Sequence, residues 1–489
     1  MDQYAICVSV RKWEQHTSIT NLVQYGRYRL AKDYGVRTEL HRVFGGGNQL
    51  EGAVNHMATA KMGMGTDKET RMSPRGSNRN GGGHLYMQTN EIQNCIIHYR
   101  RAADGTLTEA ERTSTGGAGS GVFKPISGQE SAPNAFEGAG SVILSPDRHF
   151  LFATNGGDNS VSSFAVAEDG RLTLVDRKST GNPVEGKSGT AKSLAFAASN
   201  GILYVLYSFG PDHLRLMSVD REGKLTARKE RHTVNTKDKT DRVPTMAVLS
   251  PDGKFLLVGT TFDQPIAHVG TYPDGSPILW VPQPDHTYKV VASNAPDPDG
   301  LIVFPVREDG TLGTASFQDA KAGSPFYLAF LNSRPDTFII GYAVGDGCAM
   351  ATIDREGKLN VGPLVKIDTS PGLPSELCWL GVSPDDRFVF ATHFGYSYLS
   401  SYRINGKGLE IAKDPACPKV PGDGTARGLN TTVTSGPADS WVSPDGAFLY
   451  QIYGNAAKLI GYATQPDGSL TEVTRVAIPY NSPEGLAGF

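Results

Sequence analysis

Short runs rich in Val, Ile, Leu, Phe and Tyr recur along this chain, separated by clusters of Gly, Pro, Asp and Ser. Runs of that length bounded by turn residues predict β-strands. One stretch shows the pattern whole. "SPDDRFVFATHFGYSYLSSYRINGKGL", from Ser383 to Leu409, reads as turn, strand, polar loop, strand, turn.

Two turn signatures repeat. The first is an acidic residue, Gly, any residue, Leu, starting at Asp104, Asp169, Glu222, Asp309, Glu356 and Asp467, with a degenerate copy "GKGL" at Gly406. Gly supplies the positive φ of a tight hairpin, and each copy joins two alternating segments. The second is Ser-Pro-Asp followed by a mostly apolar strand, at Ser145, Ser250, Ser383 and Ser443. Pro presets φ there, and Asp bonds the backbone further on. Each unit therefore holds four strands: a before Ser-Pro-Asp, b after it, c before Asp-Gly and d after it.

Seven such units predict an all-β, seven-bladed β-propeller of four-stranded antiparallel blades, because a small sheet covers both faces only by packing between neighbours in a closed ring. The first unit, from "HLYMQTN", lacks strand a, while the chain continues past its last unit into "EGLAGF". The C-terminal strand is thus expected to complete the first blade.

Two regions break the repeat. Residues 263–300 read as an insertion between strands b and c of the fourth blade, with a hairpin of its own around "PDGS". Residues 1–82 read as a partly helical or disordered extension ahead of the propeller at 83–489, with 12 Lys and Arg against 7 Asp and Glu before Gly82.

Composition excludes several classes. A net charge of −3 over 489 residues gives no footprint for nucleic acid. No apolar run approaches the ~18 residues that span a bilayer, and the first residues lack a signal-peptide core. A cytoplasmic location is expected, with neither nucleic-acid nor membrane partners. The five cysteines carry no C-x-x-C pair, so they read as reduced or buried thiols. No H-E-x-x-H or EF-hand spacing occurs, and neither metal nor cofactor is expected.

The Asp-Gly-x-Leu hairpins, "SPDGKFLLVGT", "CWLGVSPDDRFVFATHFGYSYLSSYRI" and the terminal "GLAGF" resemble the lactonase-type seven-bladed propellers. That family includes bacterial 6-phosphogluconolactonase and fungal 3-carboxy-cis,cis-muconate cyclase, and the resemblance covers about residues 83–489. It implies a lactonase or a muconate-type cycloisomerase acting on a small carboxylated lactone or acid at the channel mouth. The family's Pro-His pair has no counterpart at the strand entries "FEGAGS", "GTAKSL", "RVPTMA", "GSPFYL", "SELCWL" and "SGPADS", so no catalytic residue carries over. A non-catalytic propeller binding a protein or glycan is the alternative.

The residues nominate their own set. Before strand a stand Glu137, Lys192, Arg242, Tyr327, Glu376, Asp439 and Glu484; after strand b stand Asn90, Asn155, Ser208, Thr261 and His393. Such a ring of polar groups suits a small polar ligand. His393, with Asn at the matching place in the first two blades, is read either as a turn or packing residue or as a general acid/base oriented by Glu376. Arg242 or Lys192 would hold a substrate carboxylate; Asn155, Asn90, Glu137, Asp439 and Tyr327 complete the binding set.

Overall fold

The structure is a computed structural model that describes residues 82–119, 139–181, 189–240, 242–262, 267–271, 277–282, 288–290, 298–369, 375–406, 408–424, 433–480 and 483–489. Strands dominate it, and among the described residues the one helical element is a 3-10 turn at Gly454–Ala456. Seven four-stranded antiparallel sheets are present, each with its strands side by side from the innermost outward. Blade six, for example, runs Leu377–Val382, Phe388–His393, Tyr398–Asn405, Gly408–Lys413. The innermost strands of blades two to seven begin at Val142, Gly189, Val243, Pro325, Leu377 and Pro437. Each packs beside the next, and the closing strand Glu484–Gly488 lies between the seventh and the second, so the ring is complete.

Closure occurs as the repeat predicts. Glu484–Gly488 pairs antiparallel with Gly83–Gln88, opposing Gly488 to Leu85 and Leu486 to Met87. Blade one then continues outward through Cys95–Arg101 and Leu107–Ser114. A second tie crosses the same seam. Tyr450 of blade seven donates its hydroxyl to the Gly105 carbonyl of blade one at 2.7 Å. Gly105 has φ +85, and a Cβ there would sit 2.3 Å from the Phe448 ring, so only glycine fits this turn.

Burial explains the sequence pattern. Second strands such as Ile202–Phe209 and Phe388–His393 are buried at every position, because both faces are covered by neighbouring blades. Outer strands such as Leu225–His232 are buried only at their first residue and otherwise mix exposed and half-buried positions, as a half-covered edge does. The apolar clusters accordingly sit between blades: Phe152 and Val161 of blade two pack with Leu203 and Val205 of blade three.

The two turn signatures make the bonds their residues predict. Ser250 donates to Asp252 Oδ1 at 2.7 Å and accepts the Phe255 N–H, while Asp252 Oδ1 accepts the Lys254 N–H. The Asp-Gly turns place an aspartate under two donors, as when Asp309 Oδ1 accepts from the Thr311 N–H and hydroxyl. In blades three and five the bonding residue is Asp220 or Asp354, two places before the glutamate of the repeat.

Between the second and third strands of blade four lies a three-stranded sheet, Ala267–Thr271, Pro277–Pro282 and Tyr288–Val290. The 1–82 extension, apart from Gly82, lies outside the described residues, as does Glu137.

Candidate channel site

The innermost strands share an irregularity that places the site. Pairing with the second strand slips near the entry of the innermost strand in six blades: between Ala191 and Ser193, Pro325 and Tyr327, Leu377 and Leu380, Pro437 and Ser440, at Met87/Gln88 opposite Leu486 and Glu484, and twice in blade four, at Val243/Pro244 and Pro244/Met246. A bulge adds a residue and re-aims the side chains around it. After it, Tyr327 and Asp439 face the same central space as Trp441, Met246 and Val248.

That space is a cavity of ≈ 390 Å³ lined by the innermost strands of blades one to five and seven. It runs from Asp439, Tyr327 and Gly140 out to Leu144, Pro146 and Leu249 beside the Ser-Pro-Asp turns. The cavity therefore extends from the rim that carries the residues before strand a and after strand b toward the opposite rim.

Among the described residues that line it, Asp439 is the one carboxyl. The side chain is 4 % exposed, and Oδ2 accepts the Gly485 N–H at 2.7 Å. Burial lifts its pKa from the usual carboxylate range to about 7, opposed in part by hydrogen bonds from the Gly485 and Gly140 backbones. Across blade six stands Tyr327, whose phenol is pushed well above its usual range, first by burial and second by the Asp439 charge. The phenol keeps its proton and can donate, while the carboxyl exchanges its proton near neutrality.

The rim candidates are placed differently. His393 is completely buried; Nδ1 lies 2.9 Å from Ser375 Oγ and Nε2 2.6 Å from Ser400 Oγ. Burial alone lowers its pKa to about 3, so the ring is neutral at physiological pH. Asn155 repeats this arrangement in blade two: Nδ2 donates to Ser162 at 2.9 Å, and Oδ1 accepts from Thr115 at 2.7 Å. Both side chains hold the second strand to the hairpin beyond it and to the incoming crossover. These surroundings support the packing reading of His393.

Glu376 is also fully buried, at φ 56 in the left-handed region, and its carbonyl accepts the Phe394 N–H beside His393. No hydrogen bond between the two side chains is found among those described; His393 is oriented by serines instead. The Arg242 guanidinium donates to the carbonyls of Asp299 at 2.9 Å and Val234 at 3.4 Å, binding loop to loop. Lys192 is 2 % exposed and, like Arg242, does not line the cavity. Asn90 serves a turn, with φ 52 and its N–H on Asn94 Oδ1. Thr261 bonds Thr245 at 3.1 Å, and Ser208 is buried. Of the nominated residues, the cavity thus brings together Tyr327 and Asp439. Trp379 lies in the core against Phe326, whereas Trp441 turns to the channel.

One recurrent device escaped the sequence reading. Asn159, Asp346 and Ser397 all have positive φ and use a side-chain oxygen to accept the N–H of the crossover into the next blade, at Ala191, Ser375 and Ser435. Asp346 also accepts from the Ser375 hydroxyl, the group that touches His393, and burial raises its carboxyl to about 6. The signal was a Gly-, Asn- or Ser-containing turn just ahead of each third strand.

Residues 66–184 match the family model "Lactonase, 7-bladed beta-propeller". A search of the curated proteins finds no match. Among solved structures, the chain is similar to the periplasmic gluconolactonase PpgL of Pseudomonas aeruginosa, at 16 % identity and TM-score 0.54, covering 83 % of this chain and 99 % of that one. It is similar also to a protein of Lactobacillus plantarum, at 14 % identity and TM-score 0.56, again over 83 % and 99 % of the two chains. At such identities these likenesses concern the fold. Among the described residues no helix is long and apolar enough to cross a membrane. By signature over residues 66–184 and by fold around the whole ring, the chain resembles the lactonase-type seven-bladed propellers.

Proposed function

We propose that this chain is a lactone hydrolase whose chemistry takes place in the central channel, with Asp439 as general base and Tyr327 as hydrogen-bond donor. The observation that carries the reading is a buried carboxyl on the cavity wall whose proton is exchangeable near pH 7. A general base works best when its pKa lies near the working pH. The lactonase signature over residues 66–184 supplies the reaction class.

In this mechanism the Asp439 carboxylate takes a proton from water, and the water oxygen bonds to the lactone carbonyl carbon. The Tyr327 hydroxyl donates to the oxygen on which negative charge develops. Collapse breaks the ring C–O bond; the proton held by Asp439 passes to the departing alkoxide, giving a hydroxy acid. The ring-forming, cycloisomerase direction and a carboxylated substrate draw on rim cations, and Arg242 is already engaged with two carbonyls. Hydrolysis is therefore preferred here.

The test is turnover of a lactone panel by the full chain and by Asp439→Asn, an almost isosteric change that retains an acceptor for the Gly485 N–H. Loss of a general base is expected to lower kcat by about 10²–10⁴-fold with an unchanged circular dichroism spectrum. A folded Asp439→Asn protein with wild-type turnover would remove the assignment. Absence of turnover on every lactone would favour the partner-binding alternative.

A further inference from the structure

The lining of the cavity narrows the substrate class, an inference that rests on the channel being the site of lactone hydrolysis. Beside the backbone of the innermost strands, and apart from Asp439 and the Tyr327 phenol, the described side chains that line it are apolar, with half-buried Ile143, Phe196, Val248 and Trp441 among them. Among the described lining residues there is no Lys, Arg or His. Arg242 and Lys192, the cations nominated for a substrate carboxylate, do not line the space. Asp439 must be ionised to act as base, so an anionic ligand brings like charge to like charge beside a buried carboxylate. An apolar substituent, in contrast, can lie against the aliphatic and indole surface of Ile143, Val248 and Trp441. The volume of ≈ 390 Å³ lies in the range of small-molecule sites.

We propose that the channel takes an uncharged lactone carrying an aliphatic or aryl substituent, and discriminates against carboxylated and phosphorylated lactones. The ring sits at the Asp439 and Tyr327 end, and the substituent extends along Val248 and Trp441 toward the Ser-Pro-Asp rim.

The experiment compares γ-lactones of one ring size bearing hydrogen, alkyl chains of increasing length, or a carboxylate, together with 6-phosphogluconolactone. The full chain is used, and kcat/KM is read. Each methylene is expected to raise kcat/KM about threefold to fourfold until the cavity is filled, the factor for burying one such group. The carboxylated and phosphorylated members are expected to fall at least tenfold below the best alkyl member. Equal or better turnover of the charged members overturns the inference while leaving channel hydrolysis standing.

Binding separates the two claims further. Calorimetry with the corresponding lactams, which are not hydrolysed, tests the substrate class even if no lactone is turned over. Tighter binding of the alkyl lactam supports the inference; equal or tighter binding of the carboxylated lactam, or binding of neither, overturns it. A Val248→Lys variant adds the missing cation: it is expected to lose at least tenfold for the alkyl member and gain for the carboxylated one. Should that variant misfold, Val248→Ala serves, with the gain per methylene shrinking at the longer chains.

Discussion

Asp439 and His393 are both buried, both titratable and both near the ends of strands around the channel, yet their surroundings fit them for opposite tasks. His393 has a hydroxyl on each ring nitrogen and nothing to exchange with, so burial drives it neutral, to about 3. Asp439 faces a cavity, and burial drives its carboxyl upward to about 7, into the range where a proton comes and goes. The same desolvation disables one group as an acid/base and tunes the other. A histidine in a polar loop is the conspicuous candidate in the sequence; the proposed base is an aspartate on an inner strand.

This contrast can be broken in several ways, the largest effect first. A carboxyl whose folded pKa is raised contributes stability that is fully present below its unfolded pKa and is lost as the pH rises through the folded value. For Asp439 that window runs from about 4 to about 7. Denaturant titrations should show Asp439→Asn gaining on the parent across the window, by at most about 4 kcal/mol at one pKa unit per 1.36 kcal/mol. A pH-independent difference would mean the carboxyl is not desolvated.

His393→Ala should act on stability alone, costing about 1–3 kcal/mol because Ser375 and Ser400 lose their shared partner, with kcat within twofold. His393→Asn, the residue blade two uses at the matching place, should recover part of that loss. A large fall in kcat for a stable His393→Asn protein would return the histidine to the chemistry. Tyr327→Phe has the smallest expected effect, a fall of about tenfold in kcat with little change in stability, the net worth of one neutral hydrogen bond.

The repeat was legible because its signals are local. Asp309 with Gly310, and Ser250 with Asp252, make bonds within a few residues of themselves, and their spacing marks the blades. The closing strand was legible because "GLAGF" lacked a partner where the first blade lacked a strand. The site was less so. Regular alternation assigns faces by counting in twos, and one bulge near the entry of an inner strand reverses the count. Asp439 and Tyr327 stand just at such slips. Lys192 stands two residues, and Arg242 four, before the first position of its strand that lines the channel, Leu194 and Met246. The twin networks of Asn155 and His393 became visible only when Thr115 and Ser375, distant in sequence, were brought beside them.

The most direct measurement is the pH dependence of kcat/KM on an alkyl-substituted lactone between pH 5 and 9, in the parent and in Asp439→Asn. With Asp439 as base, the parent shows a rise governed by a single ionisation near pH 7, absent from the variant and unchanged in His393→Asn. A flat profile in the parent, or a midpoint that moves with His393 and not with Asp439, would contradict that role.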